Sequence, residues 1–163
     1  MAYNLLKGKR GIIFGALNEQ SIAWKVAERA VEEGAQIVLT NSPVALRLGA
    51  INKLAEQCGA IVVPADATSV EDLQGLVDRA LEHFGGKIDF VLHSVGMSPN
   101  VRKNIPYESI DYNNFFKTID ISALSFHKLM QALYEKDAMA EYGDVYNAEE
   151  IRLARIVYRS NKI

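Results

Sequence analysis

Gly11-Ile12-Ile13-Phe14-Gly15-Ala16-Leu17-Asn18-Glu19-Gln20-Ser21-Ile22-Ala23 is the stretch whose reading decides the fold. A short apolar run, rich in β-branched residues, ends at a glycine, and a serine then opens a stretch with helical spacing. The run from Gly11 to Phe14 shows no in/out alternation, as expected of a strand buried on both faces. Beyond it, Ala23, Val26, Ala27, Ala30 and Val31 fall at i, i+3, i+4, i+7 and i+8, and Gly34 supplies the stop. A glycine leaving the strand lets the backbone approach a pyrophosphate, and Ser21 begins a helix whose N–H groups favour an anion. The turn is not a strict G-x-G-x-x-G, and a glycine here also serves an ordinary tight turn.

The same two signals alternate further along the chain. Ile37-Val38-Leu39-Thr40, Ile61-Val62-Val63 and Ile88-Asp89-Phe90-Val91-Leu92 read as further buried strands. Ser42-Pro43 reads as N-cap and first-turn proline of a helix carrying Leu48, Ile51, Leu54 and Ala55 and ending near Gly59. Ser69 with Asp72 resembles a capping box, opening a helix through Leu73, Leu76, Val77, Ala80, Leu81 and Phe84 that stops at Gly85-Gly86. The order β-α-β-α-β-α-β predicts right-handed crossovers and a parallel sheet, order 3-2-1-4, covered by helices on both faces. The fold class is therefore α/β, a Rossmann-type three-layer α/β/α sheet. A polar loop, 98–104, precedes a long helical pattern from about Tyr112 to Lys136. No fifth apolar strand follows, so the fold reads as truncated after four strands and that helix. The fourth strand is thus expected to be an unpaired apolar edge, and the long helix to expose Phe, Leu and Met.

Composition sets the outer limits. The chain has 163 residues, 49% hydrophobic and 23% charged, with a net charge of −2, averages of ordinary globular proteins that exclude disordered and collagen-like classes. A charge near zero gives no footprint for nucleic acid or an anionic membrane. Cys58 is the sole cysteine, which excludes an internal disulfide and a Cys-rich metal site. No stretch approaches the roughly 18–20 apolar residues of a membrane span, and Met1–Arg10 has no secretory h-region, so a cytoplasmic protein is expected.

Ligands of such sheets sit at strand carboxyl ends beside the switch point. The second strand ends Thr40-Asn41-Ser42, without the acidic residue that would grip a ribose diol. Arg47 either faces a 2′-phosphate or is a solvated helix arginine, so NADH is favoured over NADPH. Asp66, after the third strand, either accepts from an adenine amino group or serves as a loop or cap carboxylate. Ser94-Val95-Gly96 would pass under the cofactor, and His93 reads as a packed strand-end histidine. No His/Asp/Glu cluster has metal-ligand spacing, and no Gly-x-Ser-x-Gly elbow exists.

Taken together, Gly15–Ala23, Pro64-Ala65-Asp66-Ala67 and Lys87–Gly96 resemble the enoyl-acyl-carrier-protein reductases of bacterial fatty-acid synthesis, a divergent branch of the short-chain dehydrogenases. Asp120-Ile121-Ser122-Ala123-Leu124-Ser125-Phe126 fits that family's long helix, and the resemblance runs from about Leu5 to Gly143. It implies a homotetrameric enzyme that reduces the trans-2 double bond of an acyl chain on acyl carrier protein with NAD(P)H. It also implies that Gly15, Ser21, Ile22, Ser42, Asp66, Ala67 and Val95 line the cofactor and that Ser98 lies near the substrate. The family's catalytic tyrosine and lysine follow a fifth strand.

Residues 1–143 are thus expected to form a dinucleotide-binding half domain, and 144–163 a divergent, charged and helical tail. In that tail Tyr146, Tyr158 and Lys162 are candidates for the tyrosine and lysine. Tyr158 and Lys162 spell the Tyr-x3-Lys of ordinary short-chain dehydrogenases, whereas the reductase branch uses a longer spacing, and all three also read as surface residues of a terminal helix. The loss of resemblance near Asp144 points to a truncated or frame-shifted chain, with a natural short protein as the second reading. Three functions follow: a reductase by descent, inactive or nearly so alone; a non-catalytic NAD(P)-binding module; and an interaction protein pairing with a full-length relative.

Overall fold

A computed structural model describes residues 2–142. Its frame is a parallel sheet in the order β3-β2-β1-β4, with β1 at Arg10–Phe14, β2 at Gln36–Thr40, β3 at Ile61–Val62 and β4 at Phe90–His93. β1 is central, pairing Gly11–Phe14 with Phe90–His93 on one side and Arg10–Phe14 with Gln36–Thr40 on the other. Order and direction are those predicted from the alternation of apolar runs and helical patterns.

The missing alternation in the strands has its counterpart in two cores. Ile12, Phe14 and Val38 pack on one face with Leu73, Leu76, Val77 and Leu129. Ile13, Ile37 and Leu39 pack on the other with Trp24, Ala27 and Leu54. Helices cover both faces: α1 (Ile22–Glu32) and α3 (Ile51–Cys58) on the second, α4 (Val70–Phe84) and α7 (Ser125–Tyr142) on the first. Trp24 is fully buried, and its indole N–H donates to Glu28 at 2.8 Å, which satisfies the donor that burial would otherwise strand.

Local structure departs from the sequence reading at four points. The helix opened by Ser42-Pro43 is two helices, α2 (Pro43–Leu48) and α3, broken at Gly49-Ala50. The chain is pinched there against the turn after β1: Ala50 N–H donates to the Leu17 carbonyl at 3.0 Å. A Cβ on Gly49 would lie 2.7 Å from that same oxygen. The loop 98–104 contains a short helix, α5 (Pro99–Arg102), capped by Ser98. The pattern at 112–136 is α6 (Tyr112–Ile119), a π turn (Asp120–Leu124) and α7, which runs on to Tyr142. Ser69 caps α4 through the Asp72 N–H at 3.1 Å, but the Asp72 carboxylate reaches Asp66 N–H at 2.8 Å rather than closing the box on Ser69.

Two carboxylates fasten the edge opposite the strands' exits: Glu33 holds the amino-terminal segment to the end of α1, and Asp89 joins the starts of β1 and β4. Glu33, 3% exposed, accepts from the Tyr3 and Leu5 N–H groups at 2.9 and 3.1 Å and pairs with Arg29. Asp89 accepts from Arg10 N–H at 3.0 Å and from Lys87 at 3.0 Å. Its partners, Lys87 foremost, hold its carboxyl below the usual carboxylate range.

At the edge of the sheet β4 has no further strand beside it among the described residues. A groove of about 740 Å³ runs between that edge and α7, lined by Ile88, Val91, Phe126, Met130 and Leu133 among others. Phe115, Phe116, Leu124, Phe126 and Met130 are exposed, as expected of a long helix without covering strands.

Candidate functional site: the carboxyl ends of the strands

Because all four strands run parallel, the turns that leave β1, β2, β3 and β4 open on one edge of the sheet. That edge carries Gly15, Ser21 and Ile22 after β1, Ser42 after β2, Asp66 and Ala67 after β3, and Val95 and Ser98 after β4. The topology thus brings to one edge every cofactor and substrate candidate of the first 142 residues. Tyr146, Tyr158 and Lys162 lie outside the described residues, as does the 144–163 tail.

Backbone and side-chain contacts fasten these turns to one another. Gly15 N–H donates to the Thr40 carbonyl at 3.0 Å, and Ser94 N–H to the Phe14 carbonyl at 2.9 Å. A Cβ on Gly15, whose φ is +108°, would sit 2.1 Å from the Ser94 carbonyl oxygen. The glycine is therefore required by the neighbouring backbone, a demand distinct from both the pyrophosphate approach and the tight turn expected from the sequence. Asn41 carries the next fastening. Its amide donates to the Ala16 carbonyl at 3.0 Å, its side-chain oxygen accepts from Ser42 N–H at 2.8 Å, and its backbone carbonyl accepts from Ala65 N–H at 3.1 Å. Sequence reasoning passed over Asn41, noting only that it is not acidic.

Ser21 behaves differently from the other polar residues that open helices. Ser42, Ser69, Ser98 and Asp111 each accept from an N–H of their own helices. The Ser21 hydroxyl instead turns back into the loop, accepting from Leu17 N–H at 3.2 Å and donating to the Asn18 carbonyl at 2.7 Å. It thus folds the 17–21 turn and leaves the first N–H groups of α1 without a side-chain cap, the arrangement in which a helix N-terminus accepts an anion.

Asp66 uses one oxygen locally. Oδ1 accepts from both the N–H and the hydroxyl of Thr68 at 2.8 Å, so the loop fixes the carboxylate's direction. A Cβ on Gly96 would meet Ser122 Oγ at an ordinary contact distance of 3.8 Å and nothing nearer. Thr40 is fully buried, and its hydroxyl has no hydrogen-bond partner among the described residues.

His93 is packed, as its place at a strand end suggests. Its ring meets Phe14 and Phe126 at 5.9 and 5.5 Å between centroids, and Nε2 lies 2.8 Å from Ser125 Oγ. Ser125 gives its hydroxyl hydrogen to the Ile121 carbonyl at 2.6 Å, so the neutral imidazole carries its hydrogen on Nε2. Burial holds the imidazole below its ordinary value. Among the described residues no cluster of His, Cys, Asp and Glu has the form of a metal site, and no helix is long and apolar enough to cross a membrane.

With that geometry in place, comparison with known proteins is specific. A family model described as "Enoyl-(Acyl carrier protein) reductase" matches residues 15–161. The chain is 39% identical over 126 residues to enoyl-acyl-carrier-protein reductase (NADH) 1 of Rhizobium meliloti, covering 77% of this chain and 46% of that one. It is 35% identical over 134 residues to the NADH-dependent reductase of Mycolicibacterium smegmatis, covering 79% and 49%. The crystal structure of a FabI–NADH complex from Alistipes finegoldii superposes with a TM-score of 0.81 at 70% identity, over 83% of this chain and 48% of that one. The chain spans about half the length of these relatives.

Proposed function

The chain belongs to the enoyl-(acyl carrier protein) reductase family, and we propose that its four strand ends form the NADH-binding half of such a reductase. The observation that carries the reading is the uncapped start of α1, set beside a glycine turn that the fold holds against β4. Around it the available groups suit a dinucleotide. The N–H groups that open α1 would take the pyrophosphate. Asp66, with Oδ1 turned to Thr68, would offer its other oxygen to an adenine amino group. Gly96 would permit the close approach of a flat ring, Val95 would support the nicotinamide, and Ala67, buried in the core, would back the adenine. Ser42 would donate its hydroxyl toward the adenosine end, since its oxygen already caps α2. We take NADH rather than NADPH from the relatives named above, whose reductases are NADH-dependent; the end of β2, with no acidic side chain and an exposed Arg47, does not itself make that choice.

NADH, when bound, supplies a hydride to the β-carbon of a trans-2-enoyl thioester on acyl carrier protein. The part we assign to this chain is to bind and orient: the turn at 15–22 fixes the phosphates, and the loop 95–98, with Ser98, borders the thioester. Turnover additionally requires a hydroxyl to stabilise the enolate oxygen and a cation at the nicotinamide ribose. We assign neither role to Tyr146, Tyr158 or Lys162, and so propose that this chain binds NADH in the cytoplasm while reducing enoyl thioesters weakly or not at all by itself. The family's tetramer supplies the framework for assembly. NADH binding to the 163-residue chain, followed by fluorescence, with crotonyl thioester reduction assayed alongside, tests this. Binding without reduction is expected; absence of binding would overturn the assignment.

One observation favours a second reading, an interaction protein. The edge of β4, free among the described residues, and the exposed Phe116 and Leu124 would suit pairing with a full-length relative. A hetero-oligomer on size exclusion, formed by a chain without NADH affinity, would select it.

A further inference from the structure

From the π turn at Asp120–Leu124 and the first turn of α7, side chains reach three segments at the carboxyl ends of the strands. Lys128 Nζ pairs with Asp120 Oδ1 at 2.8 Å and donates to the Thr68 carbonyl at 3.1 Å. Ser122 Oγ accepts from Met97 N–H at 3.2 Å, in the loop after β4. Ser125 Oγ meets His93 at 2.8 Å, at the end of β4 itself. A helix widened by one residue re-aims the side chains around it, and such turns recur at functional sites. Lys128 reaches back toward the amino end of its helix, the direction in which helical side chains lean.

The consequence lies in what Thr68 does next. Its N–H and its hydroxyl both donate to Asp66 Oδ1. An ammonium on the Thr68 carbonyl therefore fixes the residue that fixes the Asp66 carboxylate. Lys128 is only one-quarter exposed, so its contacts are weakly screened by water. A salt link confined to the helix surface would not need the Thr68 carbonyl.

We propose that Lys128 is a positioning residue for the adenine end of the dinucleotide, acting through Thr68 on Asp66 and held in place by Asp120. The inference rests on the reading that NADH occupies the strand ends with its adenine beside Asp66. Lys128 touches no cofactor atom in this account. Its effect is to hold one oxygen of Asp66 on Thr68 and so present the other to an exocyclic amino group.

An amino group distinguishes adenine from hypoxanthine, which lacks it. ADP-ribose and its inosine analogue are therefore titrated calorimetrically into the full 163-residue chain and into Lys128→Met, Lys128→Arg and Asp120→Asn. The parent chain is expected to prefer ADP-ribose. Lys128→Met should lower ADP-ribose affinity by roughly fivefold or more and leave the inosine analogue little changed, so that the preference collapses. Lys128→Arg should restore most of it, and Asp120→Asn, which keeps the amine, should lose part. An equal loss of both ligands, or no loss of either, overturns the role of Lys128 while leaving NADH binding intact. Failure of the parent chain to bind either ligand overturns the underlying reading and this inference with it.

Discussion

Gly15 and the Ser94 carbonyl oxygen are pressed so closely that a Cβ on the glycine would stand 2.1 Å away. The contact joins the exits of β1 and β4, strands that pair through Phe14 and His93. The glycine at the mouth of the candidate site is thus a structural requirement of the fold. Gly15→Ala adds an overlap with backbone and a strained positive φ. Together these should cost about 3 kcal/mol or more and lower the melting temperature by roughly 10 °C. Circular-dichroism melts check this. A melt unchanged from the parent would show that the two strand exits can separate without cost.

Ser21→Ala tests the turn without an overlap. It removes the bonds to Leu17 N–H and the Asn18 carbonyl, and the looser turn should weaken NADH binding about fivefold, for roughly 1 kcal/mol of lost hydrogen bonding. Fluorescence titration reads the change. Undiminished affinity would remove the 17–21 turn from the binding account.

Thr40→Val replaces a buried hydroxyl that has no partner among the described residues with a methyl group of the same shape. Thermal stability should hold or rise by about 1 kcal/mol, because an unmet polar group is removed from the core. A clear loss of stability would mean that the hydroxyl is satisfied in solution.

Acid should destabilise the chain in two stages. His93 is held below its ordinary value by burial, so the unfolded chain binds a proton first as the pH drops below about 6.5, and stability declines from there. Glu33, held low by the Leu5 and Tyr3 N–H groups and by Arg29, contributes stability that is full above about 4.3 and is lost as pH falls through its depressed folded value. Urea titrations at stepped pH read both limbs. In Glu33→Gln the lower limb should shrink; an unaltered acid limb would assign it to other carboxylates.

The β4 edge, which carries no further strand among the described residues, and the apolar face beside it should drive self-association as concentration rises. Sedimentation velocity should show larger species at high concentration, and Met130→Glu, which places a charge in the groove, should reduce them. A chain that stays monomeric in both forms would show the edge to be covered.

The layered sheet was legible because each strand is apolar on both faces and each helix keeps its 3.6-residue stripe. What escaped the sequence has a common cause: contacts between residues distant in the chain. Gly15 was readable as a special glycine, but Ser94, the residue that demands it, lies on another strand. The break at Gly49-Ala50 interrupts no periodicity and is imposed by the Leu17 carbonyl. Glu33 looks like any helix-end carboxylate until the amino-terminal segment folds over it. Asp72 follows the capping spacing, yet its carboxylate is drawn to Asp66 N–H. The π turn has no composition of its own, so the reach of Ser122 and Lys128 toward the site left no local mark. At the site itself, the strand ends were readable from topology, whereas Asn41, which stitches three of the turns, looked like an ordinary loop residue.

NADH is expected to bind across the carboxyl ends of the four strands. Titrating NADH into the isotopically labelled 163-residue chain and following backbone amide resonances tests it most directly. Saturable shifts should gather at Gly15–Ile22, Ser42, Asp66-Ala67 and Val95-Gly96, and leave the groove beside β4 quiet. Shifts confined to Ile88–Val91 and the facing side of α7, or none at saturating NADH, would contradict it.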